Sequence, residues 1–176
     1  MSTTKWSIDT AHSEIGFKVK HMMFTNVSGN FEKFDASIET EGDDFTSAKF
    51  DFSGEIASIN TGNADRDNHL RSGDFFDAEQ FPTLTFKSTS FEKESESDYK
   101  LTGDLTLHGV TKSVKLDVEF GGLAKDPWGN TKTGLSATGK INRKDWGLNW
   151  NSALETGGVL VGEEVKLNIE LQFIQQ

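Results

Sequence analysis

The chain has 176 residues, enough for one domain with a substantial core, and no cysteine, which removes disulfides, thiolate nucleophiles and cysteine-based zinc sites. Its 28 acidic side chains against 18 basic ones give a net charge of −10, which argues against nucleic acid or an anionic membrane surface as the main partner. No transmembrane stretch or apolar leader is visible, so the sequence as it stands reads as cytoplasmic, or periplasmic if a leader has been removed.

Alternation of apolar and polar residues, the mark of half-buried strands, recurs almost from end to end. Lys5–Ile8 begins it, and Ser13–Lys20 continues with Ile15, Phe17 and Val19 on one face. His21–Thr25 breaks the pattern and reads as a turn or a single helical turn. Val27–Phe31 and Phe34–Ile38 follow, then a polar loop over Glu41–Thr46, then Ala48–Ile59 with a bulge or bend expected at Gly54.

The spacing then changes, and a single short helix is predicted over residues 63–72. Asn63 suits the N-cap, Asp65 and Asp67 suit the positive end of the helix dipole, and Gly73 is placed for a left-handed stop. Spacing by four offers the pairs Asp65–His69 and Asp67–Arg71. So short a helix is not stable alone in water, so Leu70 and the pair Phe75–Phe76 are expected to clamp it over one end of the β structure.

Phe81–Pro82 resets the chain before Leu84–Phe91, and the charged run Glu92–Asp98 reads as a solvated hairpin tip. Tyr99–Leu107 and Lys112–Phe120 form a hairpin around His108-Gly109-Val110-Thr111, with Leu101, Leu105, Leu116 and Val118 among the inward residues. Gly121–Gly134 is a glycine-rich connection carrying the turn Asp126-Pro127-Trp128-Gly129. Leu135–Ile141 is a weaker strand, Asn142–Asn151 holds an aromatic cluster, and Val165–Phe173 alternates most cleanly of all. These elements make an all-β fold, an antiparallel barrel of about eight strands, a size just wide enough for side chains or one small ligand. No domain linker interrupts residues 1–176.

Chemistry-bearing motifs are sparse. The four histidines lack metal-ligand spacing, Gly157–Gly162 is not a nucleotide loop, and no nucleophile-base order or paired-carboxylate motif stands out. A load of 14 Phe and 4 Trp against one Tyr must fill a core or line an oily cavity, so the residues favour a binder of an apolar ligand over an enzyme.

Five fragments in order carry a family resemblance. They are Trp6–Ser13 with Phe17–Met22; Thr61–Asn63 with Arg66–Asp77; Pro82 with Phe86–Ser88; Gly103–Thr111; and Ile141–Leu148, with Trp146 where phenylalanine is usual. The chain resembles the YceI-like polyisoprenoid-binding proteins over nearly its full length. The resemblance implies a lipocalin-like antiparallel barrel whose lumen takes a long-chain isoprenoid or similar amphiphile, such as a polyprenyl or quinone-type tail. It implies a bacterial carrier, storage or sequestration protein, with no enzymatic activity, no cofactor beyond the lipid and no metal, and it allows a homodimer.

The lumen is expected to be lined by Phe17, Val19, Phe31, Phe34, Ile38, Phe50, Phe52, Leu70, Phe75, Phe76, Phe86, Leu101, Leu105, Leu116, Val118, Leu148, Trp150, Leu167 and Ile169, with strand phasing pointing Phe17, Phe34, Phe52, Leu105, Leu116 and Leu167 inward. The expected polar anchors for a head group are His21, Arg66, Asp67, His69, Arg143 and Asp145. Two other readings stand beside the carrier: a lipid-modifying enzyme using Asp67, His69 or Asp145, and a structural barrel with a filled lumen.

Overall fold

The computed structural model describes residues 3–21, 25–42, 44–148 and 161–176, with the side chain of residue 21 left out. Its strands are β1 (Thr3–Ile8), β2 (Glu14–His21), β3 (Thr25–Phe31), β4 (Phe34–Glu41), β5 (Asp44–Glu55), β6 (Ile59–Asn60), β7 (Thr83–Lys93), β8 (Asp98–Leu107), β9 (Val110–Lys125), β10 (Thr131–Asn142) and β11 (Val161–Gln175). One helix, α1 (Ala64–Arg71), lies between β6 and β7.

Every pairing is antiparallel, and the order β1-β4-β5-β7-β8-β9-β10-β11 returns to β1 through Trp6↔Gln175, Ser7↔Ile174 and Ile8↔Phe173. That ring of eight strands is a closed barrel. The strands β2, β3 and β6 prolong β1, β4 and β5 beyond breaks that lie side by side across the sheet. Across the second and third breaks, Glu32 N–H donates to Ser58 O at 3.1 Å and Glu55 N–H to Lys33 O at 2.9 Å. Beyond the breaks β2 stays on β11, β3 on β2 and β6 on β3, while α1 packs beside β6.

Several local expectations change in the folded chain. Gly54 pairs regularly with Phe34 and Leu84, and the bend falls at Ile56–Ser58 instead. The glycine-rich stretch is strand for most of its length: β9 runs to Lys125 and β10 starts at Thr131, with a register shift between Thr133 and Leu135. The ladder's backbone hydrogen bonds hold these residues in strand even though their low β propensity does not call for it. The polar loop after β4 shrinks in the same way, because β5 already begins at Asp44.

At the β8–β9 turn, His108 (φ 55) and Gly109 (φ 74) form the two-residue mirror-image turn that matches strand twist, closed by Leu107↔Val110. A side chain at Gly109 would run into the Phe81 ring, so glycine serves both the φ and the close approach.

Helix α1 starts as its sequence predicts, with the Asn63 side chain accepting from Arg66 N–H at 3.1 Å. It ends differently. Ser72 closes it with its hydroxyl on His69 O at 2.5 Å, Gly73 is not left-handed, and Asp77 takes the positive φ (51) further on. Nor does Asp67 pair with Arg71. Asp67 is buried and accepts from Thr61 N–H at 2.9 Å and from the Thr61 hydroxyl at 2.5 Å, while Arg71 donates to Ala57 O at 2.9 Å and to Ile59 O at 3.3 Å. Charged side chains thus tie α1 to the backbone of the segment before it, and Phe75, Phe76 and Leu70 supply its apolar contact.

The seam between β1 and β11 carries the ion cluster of Asp9, His12, Lys132 and Asp126. The hydrogen bond from His12 (2.9 Å) and the nearby Lys132 ammonium (3.6 Å) hold the Asp9 carboxyl below its usual range, against the cost of its burial.

Two stability measurements follow from these contacts. Asn63→Ala is expected to cost about 0.5–2 kcal/mol in chemical denaturation through the lost cap. A carboxyl with a depressed folded pKa stabilises the fold above its unfolded value of about 3.9, and that stabilisation disappears as pH falls through the folded value. Asp9→Asn is therefore expected to lower the denaturation midpoint at neutral pH, and the gap to wild type is expected to shrink as pH falls below the ordinary carboxylate range; a gap that does not change with pH would show that the Asp9 charge is not involved.

Candidate functional site

The barrel interior divides into a packed end and an open end. At the packed end Trp6, Ile38, Phe45, Phe91, Tyr99 and Val118 are buried. Six rings touch in series: Trp6–Phe45 at 5.2 Å, Phe45–Phe120 at 4.6 Å, Phe120–Tyr99 at 5.8 Å, Tyr99–Phe91 stacked at 4.5 Å and Phe91–Phe50 edge-on at 4.9 Å. The buried indole N–H of Trp6 donates to the Thr40 hydroxyl at 3.2 Å, which donates to Gly42 O at 2.6 Å, so the plug holds no stranded polar group.

Above the plug lies a cavity of about 550 Å³, within the range of about 300–1,000 Å³ usual for small-molecule sites. Phe50, Leu101, Leu135 and Phe173 form its floor, next to the plug residues in the strand registers. Its walls are the inward positions of the strands: Phe17 and Val19 of β2, Phe31 of β3, Phe52 of β5, Phe86 of β7, Leu105 of β8, Leu116 of β9, and Leu167 and Ile169 of β11. Leu70, Phe75, Phe76 and Leu148 complete the wall at the α1 end. The wall also includes residues that the sequence does not single out as lining, among them Ile15, Ala36, Leu84, Ala137, Ile141 and Leu171. All sit two residues along a strand from another inward residue, so the same alternation identifies them once both ends of each strand are known.

Three expected lining residues do not reach the cavity. Ile38 (0% exposed) and Val118 (2%) belong to the plug, and Phe34 is half-buried against the Phe52 ring at 6.2 Å. Alternation assigns a side chain to the inner face but not to a depth along the barrel axis, and these three lie at the wrong depth or behind another ring. Trp150 lies outside the described residues, as does the side chain of His21.

Polar groups collect at the α1 end. Thr61, Asn63, Asp65, Arg66 and His69 line the cavity there, with Lys20 of β2 and Arg143 beyond β10. Arg66 donates from Nε to the Thr61 hydroxyl at 2.8 Å and from Nη2 to Thr61 O at 2.9 Å, and His69 meets Asp74 at 3.0 Å and the Phe75 ring edge-on at 5.1 Å. The other two expected anchors are elsewhere: Asp67 turns away into its bonds with Thr61, and Asp145 is exposed on the 3-10 turn Arg143–Trp146. The three groups of the catalytic alternative therefore do not share one wall, since His69 alone among them lines the cavity. Among the described residues no group of three His, Asp or Glu side chains could hold a metal ion, and no helix is long and apolar enough to cross a membrane.

Arg143 is 4% exposed and works as a clamp. Its guanidinium donates to Gly162 O at 2.8 Å, Leu148 O at 2.6 Å and Val161 O at 3.3 Å, with the Phe75 ring 5.9 Å away. Burial pushes this guanidinium below its ordinary pKa, opposed by the field of Glu163. Sequence reasoning casts Arg143 as a head-group anchor, but these bonds show that it joins the end of β10 to the start of β11. Trp146 supports the same corner, donating from its indole to Leu105 O at 3.0 Å and accepting at its own carbonyl from His108 at 3.1 Å. Arg143→Leu removes the guanidinium's hydrogen bonds to Leu148 O, Val161 O and Gly162 O and is expected to cost about 1–3 kcal/mol by chemical denaturation; wild-type stability would show that the clamp is not needed.

The comparisons with known proteins agree with this architecture. UPF0312 protein SA2479 of Staphylococcus aureus (strain N315) is 43% identical over 171 residues, covering 97% of this chain and 97% of its own. The crystal structure of a Campylobacter jejuni YCEI protein is 39% identical with a TM-score of 0.77, covering 96% of each chain. A polyisoprenoid binding domain from Saccharophagus degradans is 14% identical with a TM-score of 0.73 over 97% of this chain and 98% of its own, which shows a shared fold. The YceI-like domain family matches residues 6–173, and the chain belongs to that family.

Proposed function

We propose that the protein binds an amphiphilic lipid with an isoprenoid-type tail, holding the tail in the barrel and the head group at the α1 rim, as a carrier or store rather than as an enzyme. The observation that carries this reading is the cavity itself: about 550 Å³, walled mostly by aliphatic and aromatic side chains, plugged at one end and with most of its polar groups near α1. Each buried methylene contributes about 0.8 kcal/mol, so some ten of them give about 8 kcal/mol before ordering costs, near the free energy of micromolar binding. Tail burial then supplies affinity, and Arg66 and His69 select weakly among head groups. The filled-barrel reading applies only to the plug end, where the rings are already in contact.

Mass spectrometry of organic extracts from the purified protein tests the proposal. A co-purifying lipid of stoichiometric amount is expected, unchanged by prolonged incubation; chemical turnover of it would favour the enzymatic reading, and an empty extract would count against the carrier. In the variant Leu105→Trp the ring is expected to occupy ligand space and lower bound lipid with little loss of stability. A loss of about 1–3 kcal/mol with lipid unchanged is the signature of overpacking and would remove Leu105 from the ligand's path.

A further inference from the structure

We infer that three glycines on the inner face, Gly29, Gly103 and Gly139, decide whether the barrel holds a ligand site or a filled core, because each leaves a bay in which a neighbouring wall side chain lies flat. The inference rests on the proposed lipid-binding function and names residues on which that binding depends. Each glycine stands between two cavity-lining residues of its own strand: Val27 and Phe31 on β3, Leu101 and Leu105 on β8, Ala137 and Ile141 on β10. Alternation therefore turns all three inward. None has a positive φ, and alanine is the better strand residue at an ordinary φ, so backbone conformation does not call for glycine here.

The close approach of a neighbour does. A Cβ at Gly29 would lie 2.5 Å from Phe17 Cζ and 2.9 Å from Thr61 Cγ2, and one at Gly139 would lie 2.6 Å from Leu116 Cδ2. One at Gly103 would lie 2.5 Å from Lys87 O and would overlap the Phe86 ring. Phe17, Leu116 and Phe86 each have a large neighbour on the other side, which strand register identifies as Leu167, Leu101 and Phe52. Thr61 does not make room at Gly29, since its hydroxyl and both backbone groups are bonded to Asp67 and Arg66. With the bay filled and the far side occupied, the lumen is the direction left to the side chain. A ring that turns there takes the ligand's space. At Gly103 a backbone carbonyl would have to move as well, so that position is bound up with the fold, and Gly29 and Gly139 are the ones to test.

A double-mutant cycle reads the bay. N-phenyl-1-naphthylamine, an apolar probe that fluoresces when removed from water, is titrated into each protein after lipid has been stripped on a hydrophobic resin. Gly29→Ala is expected to weaken probe binding about tenfold, the effect of losing about two methylene-sized contacts. Leucine at position 17 is too short to reach the bay, so in the Phe17→Leu background the same Gly29→Ala change is expected to alter binding by less than about threefold. A loss that persists in that background would show that alanine acts on the strand rather than through the ring, and would overturn the inference. Equal binding by wild type and Gly29→Ala also overturns it and leaves lipid binding standing; no probe binding by wild type overturns both. If Gly29→Ala does not fold, Gly139→Ala is read in the same way, with and without Leu116→Val.

Discussion

An eight-stranded ring encloses a space barely wider than the side chains that point into it. The distribution of large rings along the barrel axis therefore decides what the fold can do. Here Trp6, Phe45, Phe120, Tyr99, Phe91 and Phe50 touch in series across one end and close it. Nearer α1 the inward positions are mostly aliphatic, with alanines at Ala36 and Ala137, and the space stays open. Closure of β11 onto β1 makes this division meaningful, because an open sheet would have an edge and no defined lumen.

The mouth is built on a different economy. A helix of eight residues with two aliphatic side chains cannot be held by an apolar face alone. Its charged residues are instead spent on the backbone beside it: Asp67 and Arg66 on Thr61, Arg71 on Ala57 and Ile59. Arg143 does the same at the neighbouring corner, donating to three carbonyls. Buried charge at this end is thus structural first.

The path from sequence to site was uneven for identifiable reasons. The alternation in Ser13–Lys20 and Val165–Phe173 reports directly which residues face inward, and Phe17, Val19, Leu167 and Ile169 stand in the cavity wall. The same alternation holds for Ile38 and Val118, which face inward and are buried in the plug. Period-two patterning carries no information about axial position, and axial position follows from register across neighbouring strands. The polar residues were harder still: Asp67 and Arg71 stand four apart, yet each finds a better partner in the backbone of residues 57–61 than in the other.

By itself the sequence determined the strand composition, the inward face of most strands, the helix start at Asn63 and the absence of cysteine chemistry, because these depend on local periodicity, capping and residue type. Only the tertiary structure decided where the bends fall, which inward residues plug the barrel and which surround open space, and that Arg143 clamps a corner. Those outcomes depend on contacts between residues far apart in the chain, such as Trp6 with Thr40 and Arg143 with Gly162. Such contacts exist only once the ring has closed and its registers are set.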